Sequence, residues 1–194
     1  MNANTEQISR KEVTIAGFGG QGIVLTGFIL GKALALYEDR QVVMTQSYGP
    51  EARGGASSAN LVISDETIDY PFVQRPDILV TISQEAYKKF RPRLKETGLI
   101  LIDEDLVKPD PGDHVLAIPA TGIAETLGKR IVANVVMLGF IAGATSLASR
   151  DSLIRSIESS VKTKTIPLNI EAFDAGYEFM FEGKFKTLKT IQGI

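Results

Sequence analysis

The chain has 194 residues, of which 44% are hydrophobic and 23% are charged, and its formal net charge is −2 at pH 7. This length and composition are typical of one globular domain with a full core. The small net charge excludes a global electrostatic preference for nucleic acid or for a membrane surface. With no cysteine and a single histidine, His114, the chain cannot form a disulfide, a thiolate zinc site or a cysteinyl iron–sulfur site.

The N-terminal segment is polar, and no apolar run reaches the roughly 18 residues that span a bilayer. No secretory leader is visible either, so we expect a cytoplasmic protein. Lysines and arginines are spread along the chain without a basic block. We therefore expect no nucleic-acid partner and no membrane partner.

The first predicted elements are a strand over 12–17 and a helix over 21–37. The turn between them fits the dinucleotide fingerprint G-x-G-x-x-G. Glycines at this spacing let the backbone approach a phosphate, and the helix N-terminus then presents unpaired N–H groups to an anion. The second half of the fingerprint is missing, because no Asp or Glu stands at residues 44–46, where it would bind a ribose hydroxyl.

Further along the chain, short β-rich runs alternate with helical patterns. Strands are predicted over 41–46, 57–64, 77–83, 98–104 and 114–120, and helices over 84–95, 131–147, 150–162 and 167–181. Most of the strands are continuous apolar runs, which are typical of parallel strands covered on both faces. No helix signal separates the second and third strands, which predicts one antiparallel or irregular connection. The predicted fold class is α/β, Rossmann-like and doubly wound, with a mostly parallel sheet, helices on both faces and a helical C-terminal part.

No linker and no repeat divides the sequence, so we expect a single domain over 1–194. The segments 1–11 and 182–194 are expected to be flexible tails or to contact a partner. Asp151 is predicted to cap the helix that begins at residue 150, because a carboxylate there accepts hydrogen bonds from the first turn.

A second loop, SYGPEARGG over 47–55, follows the second predicted strand. Its glycine-containing pairs predict a turn and a site of close approach, with a glutamate and an arginine between them. Loops that leave the first two strands of a doubly wound sheet lie at its carboxyl edge, where ligands bind. We therefore expect four polar side chains to face one crevice there: Gln21, Tyr48, Glu51 and Arg53. The alternative is a solvated loop with a Glu–Arg ion pair.

With both loops in view, the chain resembles the gamma subunit of 2-oxoacid:ferredoxin oxidoreductases. The resemblance is carried by GFGGQGI and QSYGPEARGGASSANLVIS, and further along by RPDILVTISQEAYKKF, GLILIDEDLV and ANVVMLGFIAG. It spans residues 13–180, and the pair of loops is specific where the glycine turn alone would not be. The form of the second loop is closer to the 2-oxoglutarate type than to the pyruvate or indolepyruvate types.

The resemblance implies a subunit of a larger enzyme rather than a chain that is active alone. That enzyme would oxidatively decarboxylate 2-oxoglutarate to succinyl-CoA and reduce ferredoxin, with alpha, beta and delta-type companion subunits. Thiamine diphosphate, Mg and iron–sulfur clusters would be bound by the companions, and coenzyme A would lie at the subunit interface. No metal ligand and no catalytic residue is assigned to this chain, and its lack of cysteine agrees with that division.

The resemblance also carries cofactor-facing positions onto this sequence. In the first loop these are Gly17, Gly19, Gly20, Gln21 and Gly22. In the second loop they are Ser47, Tyr48, Gly49, Pro50, Glu51, Arg53, Gly54 and Gly55. Asn134, at the start of the apolar helix, matches a third motif position. Arg53 and the glycine turn are expected near the coenzyme A phosphates or the thiamine-bound intermediate.

Three other interpretations stay open at this point. The first is a gamma subunit for pyruvate or a branched-chain 2-oxoacid. The second is a free-standing NAD(P)-binding oxidoreductase, which rests on the glycine fingerprint alone. The third is a scaffold that orders the companion subunits and touches no ligand, with glycines that only permit tight packing.

Overall fold

A mixed sheet is the centre of the fold. The computed structural model of the chain describes residues 10–48, 56–183 and the backbone of 186–189. Within these ranges the strands are β1 (Lys11–Phe18), β2 (Gln41–Ser47), β3 (Ala56–Ser64), β4 (Ile78–Thr81), β5 (Leu99–Asp103), β6 (His114–Ile118) and β7 (Lys186–Lys189). Their order is β2-β3-β1-β4-β5-β6-β7. Neighbours among β1, β4, β5 and β6 are parallel, whereas β3 is antiparallel to β1 and β2, and β7 is antiparallel to β6.

Helices cover both faces of this sheet. They are α1 (Ile23–Tyr37), α2 (Gln84–Phe90), α3 (Ala120–Thr126), α4 (Ala133–Thr145), α5 (Arg150–Glu158) and α6 (Ile166–Phe181), with short 3-10 helices at Arg91–Arg93, Arg130–Val132 and Thr163–Thr165. Residues of α1 and α4 belong to the apolar core on one face, and residues of α2 to the core on the other. The predicted α/β fold is confirmed, together with the antiparallel connection between the second and third strands.

Successive residues of β1, β4, β5 and β6 point into the two different cores, because side chains alternate along a strand. In β1, Val13 and Ile15 lie in the core on the α1 and α4 face, and Ala16 lies in the core on the α2 face. Thr14 shares the α2 face and donates a hydrogen bond to Asn60 Oδ1 at 2.9 Å. The nearly continuous apolar runs thus reflect strands that are covered on both sides.

The apolar helix α4 is buried along most of its length and crosses α6 at very short range. All residues of 134–142 are buried. An added Cβ on Gly139 would collide with the carbonyl oxygen of Phe173, and one on Gly176 with the carbonyl oxygen of Val136. The two helix backbones are therefore in direct contact. In the part of the chain that the structure describes, no helix is long and apolar enough to cross a membrane.

Several helix boundaries differ from the sequence-based predictions: α1 and α4 begin two residues later, α4 ends at Thr145, and α5 ends at Glu158. Asp151 does not cap α5; Ser149 does, because it is the last extended residue before the helix and its Oγ accepts from the Ser152 N–H at 3.2 Å. α2 ends earlier than predicted, at Phe90, and the chain continues as a 3-10 turn that contains Pro92. Proline has no N–H to donate, so it does not extend the α-helical hydrogen bonding.

The sequence did not predict β7. The backbone of 186–189 pairs with β6 and so adds an edge strand to the sheet of this same chain. These residues fall in the segment 182–194 that was expected to form a tail. For the residues outside the described ranges, a flexible or partner-contacting tail stays a prediction.

Candidate functional site

The glycine turn connects the end of β1 to the start of α1. Gly20 (φ 90°) and Gly22 (φ 76°) adopt the left-handed conformation that favours glycine. A hydrogen bond from the Gln21 backbone N–H to the Phe18 carbonyl, at 3.2 Å, closes the turn. Gly22 is the N-cap of α1 and has no side chain with which to cap it. The backbone N–H groups in the first turn of α1 therefore lie at the carboxyl edge of the sheet, and Gly22 provides no side chain to accept a hydrogen bond from them.

Gln21 braces this turn. Its Oε1 accepts from the Phe18 backbone N–H at 2.6 Å, and its Nε2 donates to the carbonyl of Ile82 at 3.1 Å. The side chain thus links the end of β1 to the residue just after β4. An added Cβ on Gly17 would lie 2.7 Å from Gln21 Oε1, so this glycine makes room for the brace. The second Nε2 hydrogen has no acceptor among the described residues, so it is available to a ligand.

Asn134 joins the glycine turn from a distant part of the chain. It is 4% exposed at the start of α4, and its Nδ2 donates to the Gly22 carbonyl at 3.3 Å and to Thr26 Oγ1 at 3.4 Å. An added Cβ on Gly22 would lie 2.8 Å from Asn134 Cγ, so the close approach of α1 and α4 depends on this glycine. The structure therefore places Asn134, the third predicted motif position, against the glycine turn, which is the first motif.

A crevice of about 290 Å³ opens at the carboxyl ends of β1, β4 and β5, beside the glycine turn. We call it the glycine-turn crevice, and its lining residues are Gly20, Gln21, Ile82, Asp103, Leu106, Thr121, Arg130, Ile131, Ala133 and Asn134. Ligands bind at this position in open α/β sheets. Three predicted site residues line the crevice: Gly20, Gln21 and Asn134.

The sequence analysis missed a buried carboxylate in this crevice. Asp103 ends β5, and its Oδ2 accepts from the N–H and the hydroxyl of Thr121 at 3.1 and 2.7 Å. Its Oδ1 accepts from the Asp105 N–H at 3.2 Å. Burial raises the pKa of Asp103, and the hydrogen bonds from Thr121 and Asp105 oppose that shift. An acidic residue at the carboxyl end of an apolar strand was the signal that could have found it.

A cation and an apolar side chain form the rim of the crevice. Arg130 is exposed, and its ion pair with Glu125 is long, at 3.7 Å. Ile131 beside it is 78% exposed. A guanidinium that is only weakly paired suits a phosphate or carboxylate. The described residues contain no group of three or more His, Asp or Glu side chains that would hold a metal ion.

The second predicted loop is described only at its start. Ser47 ends β2, and Tyr48 after it is exposed. The other predicted positions of this loop lie outside the described residues: Gly49, Pro50, Glu51, Arg53, Gly54 and Gly55. Ser47 lines a different recess, between β2, β3 and α2, and Tyr48 lines neither that recess nor the glycine-turn crevice. A crevice shared by the two loops stays a prediction.

The sequence matches the family model of pyruvate ferredoxin/flavodoxin oxidoreductase over residues 12–179. A curated relative, the 2-oxoglutarate synthase subunit KorC of Methanocaldococcus jannaschii, is 52% identical over 174 residues, which cover 87% of this chain and 93% of the relative. The pyruvate synthase subunit PorC of Methanothermobacter marburgensis is 37% identical, also over 174 residues, which cover 87% of this chain and 97% of the relative.

Two solved structures share the fold. The gamma subunit of keto/oxoacid ferredoxin oxidoreductase from Geobacter sulfurreducens has a TM-score of 0.83 at 37% identity, over 92% of this chain and 99% of that chain. The 2-oxoglutarate:ferredoxin oxidoreductase of Magnetococcus marinus, solved with 2-oxoglutarate, coenzyme A and succinyl-CoA bound, has a TM-score of 0.79 at 22% identity, over 90% of this chain and 31% of that chain. The resemblance to gamma subunits is confirmed, and the chain belongs to the pyruvate ferredoxin/flavodoxin oxidoreductase family.

Proposed function

We propose that the chain is the gamma subunit of a thiamine-dependent 2-oxoglutarate:ferredoxin oxidoreductase, which converts 2-oxoglutarate and coenzyme A to succinyl-CoA and CO₂ and reduces ferredoxin. The observation that carries the proposal is the 52% identity to a 2-oxoglutarate synthase subunit, against 37% to a pyruvate synthase subunit over a similar length. The higher identity favours 2-oxoglutarate over pyruvate as the substrate of the complex.

Companion subunits supply the redox chemistry in this proposal. The chain has no cysteine, so it has no thiolate to ligate an iron–sulfur cluster. We assign the clusters, thiamine diphosphate and Mg to alpha, beta and delta-type companions, and ferredoxin is an indirect partner of this chain. The gamma subunit alone is then inactive, and its own residues act by binding and orienting one substrate.

We assign the glycine-turn crevice to coenzyme A at the subunit interface. Among the described residues, an added Cβ on Gly19 or Gly20 would meet nothing within 4 Å, which leaves space for a ligand on the outer side of the turn. A phosphate there would be attracted by the N-terminus of α1 and by the Arg130 guanidinium. The Asp103 wall is a hydrogen-bond acceptor and suits an amide N–H of the pantetheine arm better than a phosphate.

The second loop has a separate place in the proposal. Arg53, outside the described residues, would add a second guanidinium for the coenzyme phosphates or for the thiamine-bound intermediate. The NAD(P) alternative gains no support from β2, which ends in Gln46 and Ser47 rather than in an acidic residue that could hold a ribose.

The test is purification of the tagged chain from its native cell at its natural expression level, with identification of co-purifying subunits and bound cofactors. We expect companion subunits, thiamine diphosphate, and coenzyme A-dependent ferredoxin reduction that is faster with 2-oxoglutarate than with pyruvate. A chain that purifies alone would contradict the subunit assignment. An assembled complex that prefers pyruvate would contradict only the assignment of the 2-oxoacid.

A further inference from the structure

A second recess lies away from the glycine-turn crevice, on the α2 face of the sheet. It measures about 410 Å³ and lies between β2, β3 and the end of α2. We call it the polar recess. Its floor consists of four side chains that share one face of the two paired strands, Thr45, Ser47, Ser58 and Asn60.

The floor of the polar recess is built from fixed hydrogen-bonding groups. Asn60 Oδ1 accepts from Thr14 Oγ1 at 2.9 Å, and Asn60 Nδ2 donates to Ser58 Oγ at 3.1 Å. Ser58 is 1% exposed. Since its oxygen accepts in this bond, its hydroxyl hydrogen is available as a donor, and no acceptor for it occurs among the described residues. The recess therefore offers an unused donor to an occupant.

One wall of the polar recess is positively charged. Lys89 lies in the last turn of α2 and Arg93 ends the 3-10 helix that follows, and both line the recess. In the described ranges neither forms an ion pair, and no Asp or Glu lines the recess. A chain whose net charge is −2 thus presents a local cationic wall. Such a wall favours an acidic partner.

An exposed aromatic side chain forms another part of the rim of the recess. Phe72 lines the recess and is 54% exposed, and its ring packs edge to face on Tyr70 with the centroids 5.7 Å apart. The loop that carries the pair is held to β1, because Glu12 Oε2 accepts from the N–H groups of Gln74 and Arg75 at 3.0 Å. A fixed loop loses little conformational entropy on binding, and exposed aromatics beside arginine are typical of protein interfaces.

We propose that the polar recess docks an acidic segment of a companion subunit. A carboxylate of that segment pairs with Lys89 and Arg93, and a neighbouring apolar side chain packs on Phe72. A small phosphate compound fits less well, because the exposed aromatic rim offers a phosphate nothing. This inference rests on the proposed function, since it takes the occupant from the other subunits of the complex.

The test is a double charge reversal, Lys89→Glu with Arg93→Glu, in the chain assembled with its companion subunits. The matched control is Lys88→Glu with Lys162→Glu, which changes the net charge equally at exposed positions that do not line the recess. We expect the double reversal to weaken binding to the remaining complex about tenfold or more, while the control binds as the wild type does. Wild-type binding should also weaken with added salt more steeply than binding of the reversed variant.

A second variant, Phe72→Ser, removes the aromatic rim without a change of charge and is expected to weaken binding several-fold. Circular dichroism of each isolated variant shows whether it is folded. If folded double-reversal and control variants bind equally well, the docking proposal is wrong. The docking proposal is also wrong if inorganic phosphate binds the wild-type chain but not the double-reversal variant, while that variant still assembles with the companion subunits as the wild type does. Failure of the wild-type chain to bind any companion would instead contradict the proposed function.

Discussion

At the scale of single residues, two amide side chains hold the glycine turn in place. Gln21 accepts from the end of β1 and donates to the carbonyl after β4, while Asn134 donates to the Gly22 carbonyl. A carboxylate cannot donate and an aliphatic side chain can do neither, so the amide is the group that fits both positions. Variants at these positions therefore change the stability of the turn as well as its contact with a ligand.

We expect Asn134→Ala to lower the free energy of unfolding by about 1–3 kcal/mol, because it removes the Nδ2 donor to the Gly22 carbonyl and opens a gap between α1 and α4. Urea unfolding of the isolated chain measures the change. Gln41→Ala removes an exposed amide at the start of β2 and should change stability by no more than about 0.5 kcal/mol. A similar loss in both variants would show that the contact with Gly22 carries no stability.

Asp113 is the centre of a partly buried polar cluster outside the candidate site. It accepts from the Arg91 guanidinium and from the Tyr87 hydroxyl, and the Tyr87 oxygen accepts from the Asp110 N–H at 2.9 Å. The hydrogen bond from Arg91 is the main cause that holds the pKa of Asp113 below its ordinary value of 3.8. Burial is the main cause that raises the pKa of Tyr87 to about 12.

Because the pKa of Asp113 is lower in the folded state than in the unfolded state, its ionised form adds stability above about pH 4, and that stability is lost as the pH falls through the folded-state pKa. We expect Asp113→Asn to cost about 1–2 kcal/mol at neutral pH, a modest figure because the Arg91 side chain is 42% exposed to solvent. The difference from wild type should shrink in acid, which urea unfolding at several pH values measures. Asp69→Asn, at an exposed position, is the control, and a cost independent of pH would contradict the expectation.

At the scale of elements, the helices and strands that could be predicted were those whose own residues show a clear apolar pattern. The buried strands β4 and β5 are short apolar runs, and their sequences identify them without knowledge of their neighbours. β7 has the sequence KTLK and carries no such run, because it is an edge strand that depends on pairing with β6. The sequence analysis assigned the cap of α5 to Asp151, whereas Ser149 makes the hydrogen bond. Ser149, Asp151 and Ser152 are all good capping residue types, and only the backbone angles decide between them.

The crossing of α4 and α6 gives a prediction at this scale. Gly139→Ala would place a Cβ against the Phe173 carbonyl and 2.8 Å from the Tyr177 backbone nitrogen, so the helices must separate. We expect a loss of at least about 1–3 kcal/mol in unfolding free energy. Gly31→Ala is the matched control inside α1, because its Cβ would meet methyl groups of a leucine and a valine side chain at 3.3 and 3.6 Å and no backbone atom.

For the control, the gain in helix propensity of up to about 1 kcal/mol offsets the tight contact, so Gly31→Ala should be close to neutral. Thermal and urea unfolding of both variants give the comparison. If Gly139→Ala were as stable as Gly31→Ala, the direct contact of the two backbones would not be a constraint on the fold.

At the scale of the whole molecule, the candidate site joins parts of the chain that no local pattern connects. The glycine turn, Asp103 and Asn134 meet only because the strand order brings β1, β4 and β5 together and α4 packs against α1. The resemblance to gamma subunits supplied Gly20, Gln21 and Asn134. Arg130 begins a short 3-10 helix that carries no motif, so its place at the rim follows from the tertiary structure alone.

The glycine-turn crevice lies at the carboxyl ends of β1, β4 and β5, and the polar recess lies on the α2 face of the sheet, so ligand binding and subunit docking can be changed separately. The glycine-turn crevice is closed by α4, whereas the polar recess is bounded by α2. Charge reversal in the polar recess should therefore change assembly, and once the complex has formed it should leave the KM for coenzyme A unchanged. Substitution in the glycine-turn crevice should instead change the KM for coenzyme A and leave assembly unchanged.

Arg130→Gln tests the crevice in the assembled complex, where both substrates can be varied. We expect the KM for coenzyme A to rise about 10- to 100-fold, since a charge-assisted contact with phosphate contributes about 1.5–3 kcal/mol and acts on the ground state and the transition state alike. For the same reason kcat should change little, and the KM for 2-oxoglutarate should stay as in the wild type. Lys129→Gln removes the neighbouring exposed cation, which does not line the crevice, and should leave both KM values unchanged. An equal rise in both KM values, or the same effect from Lys129→Gln, would mean that Arg130 acts through the general charge of this surface and does not contact coenzyme A.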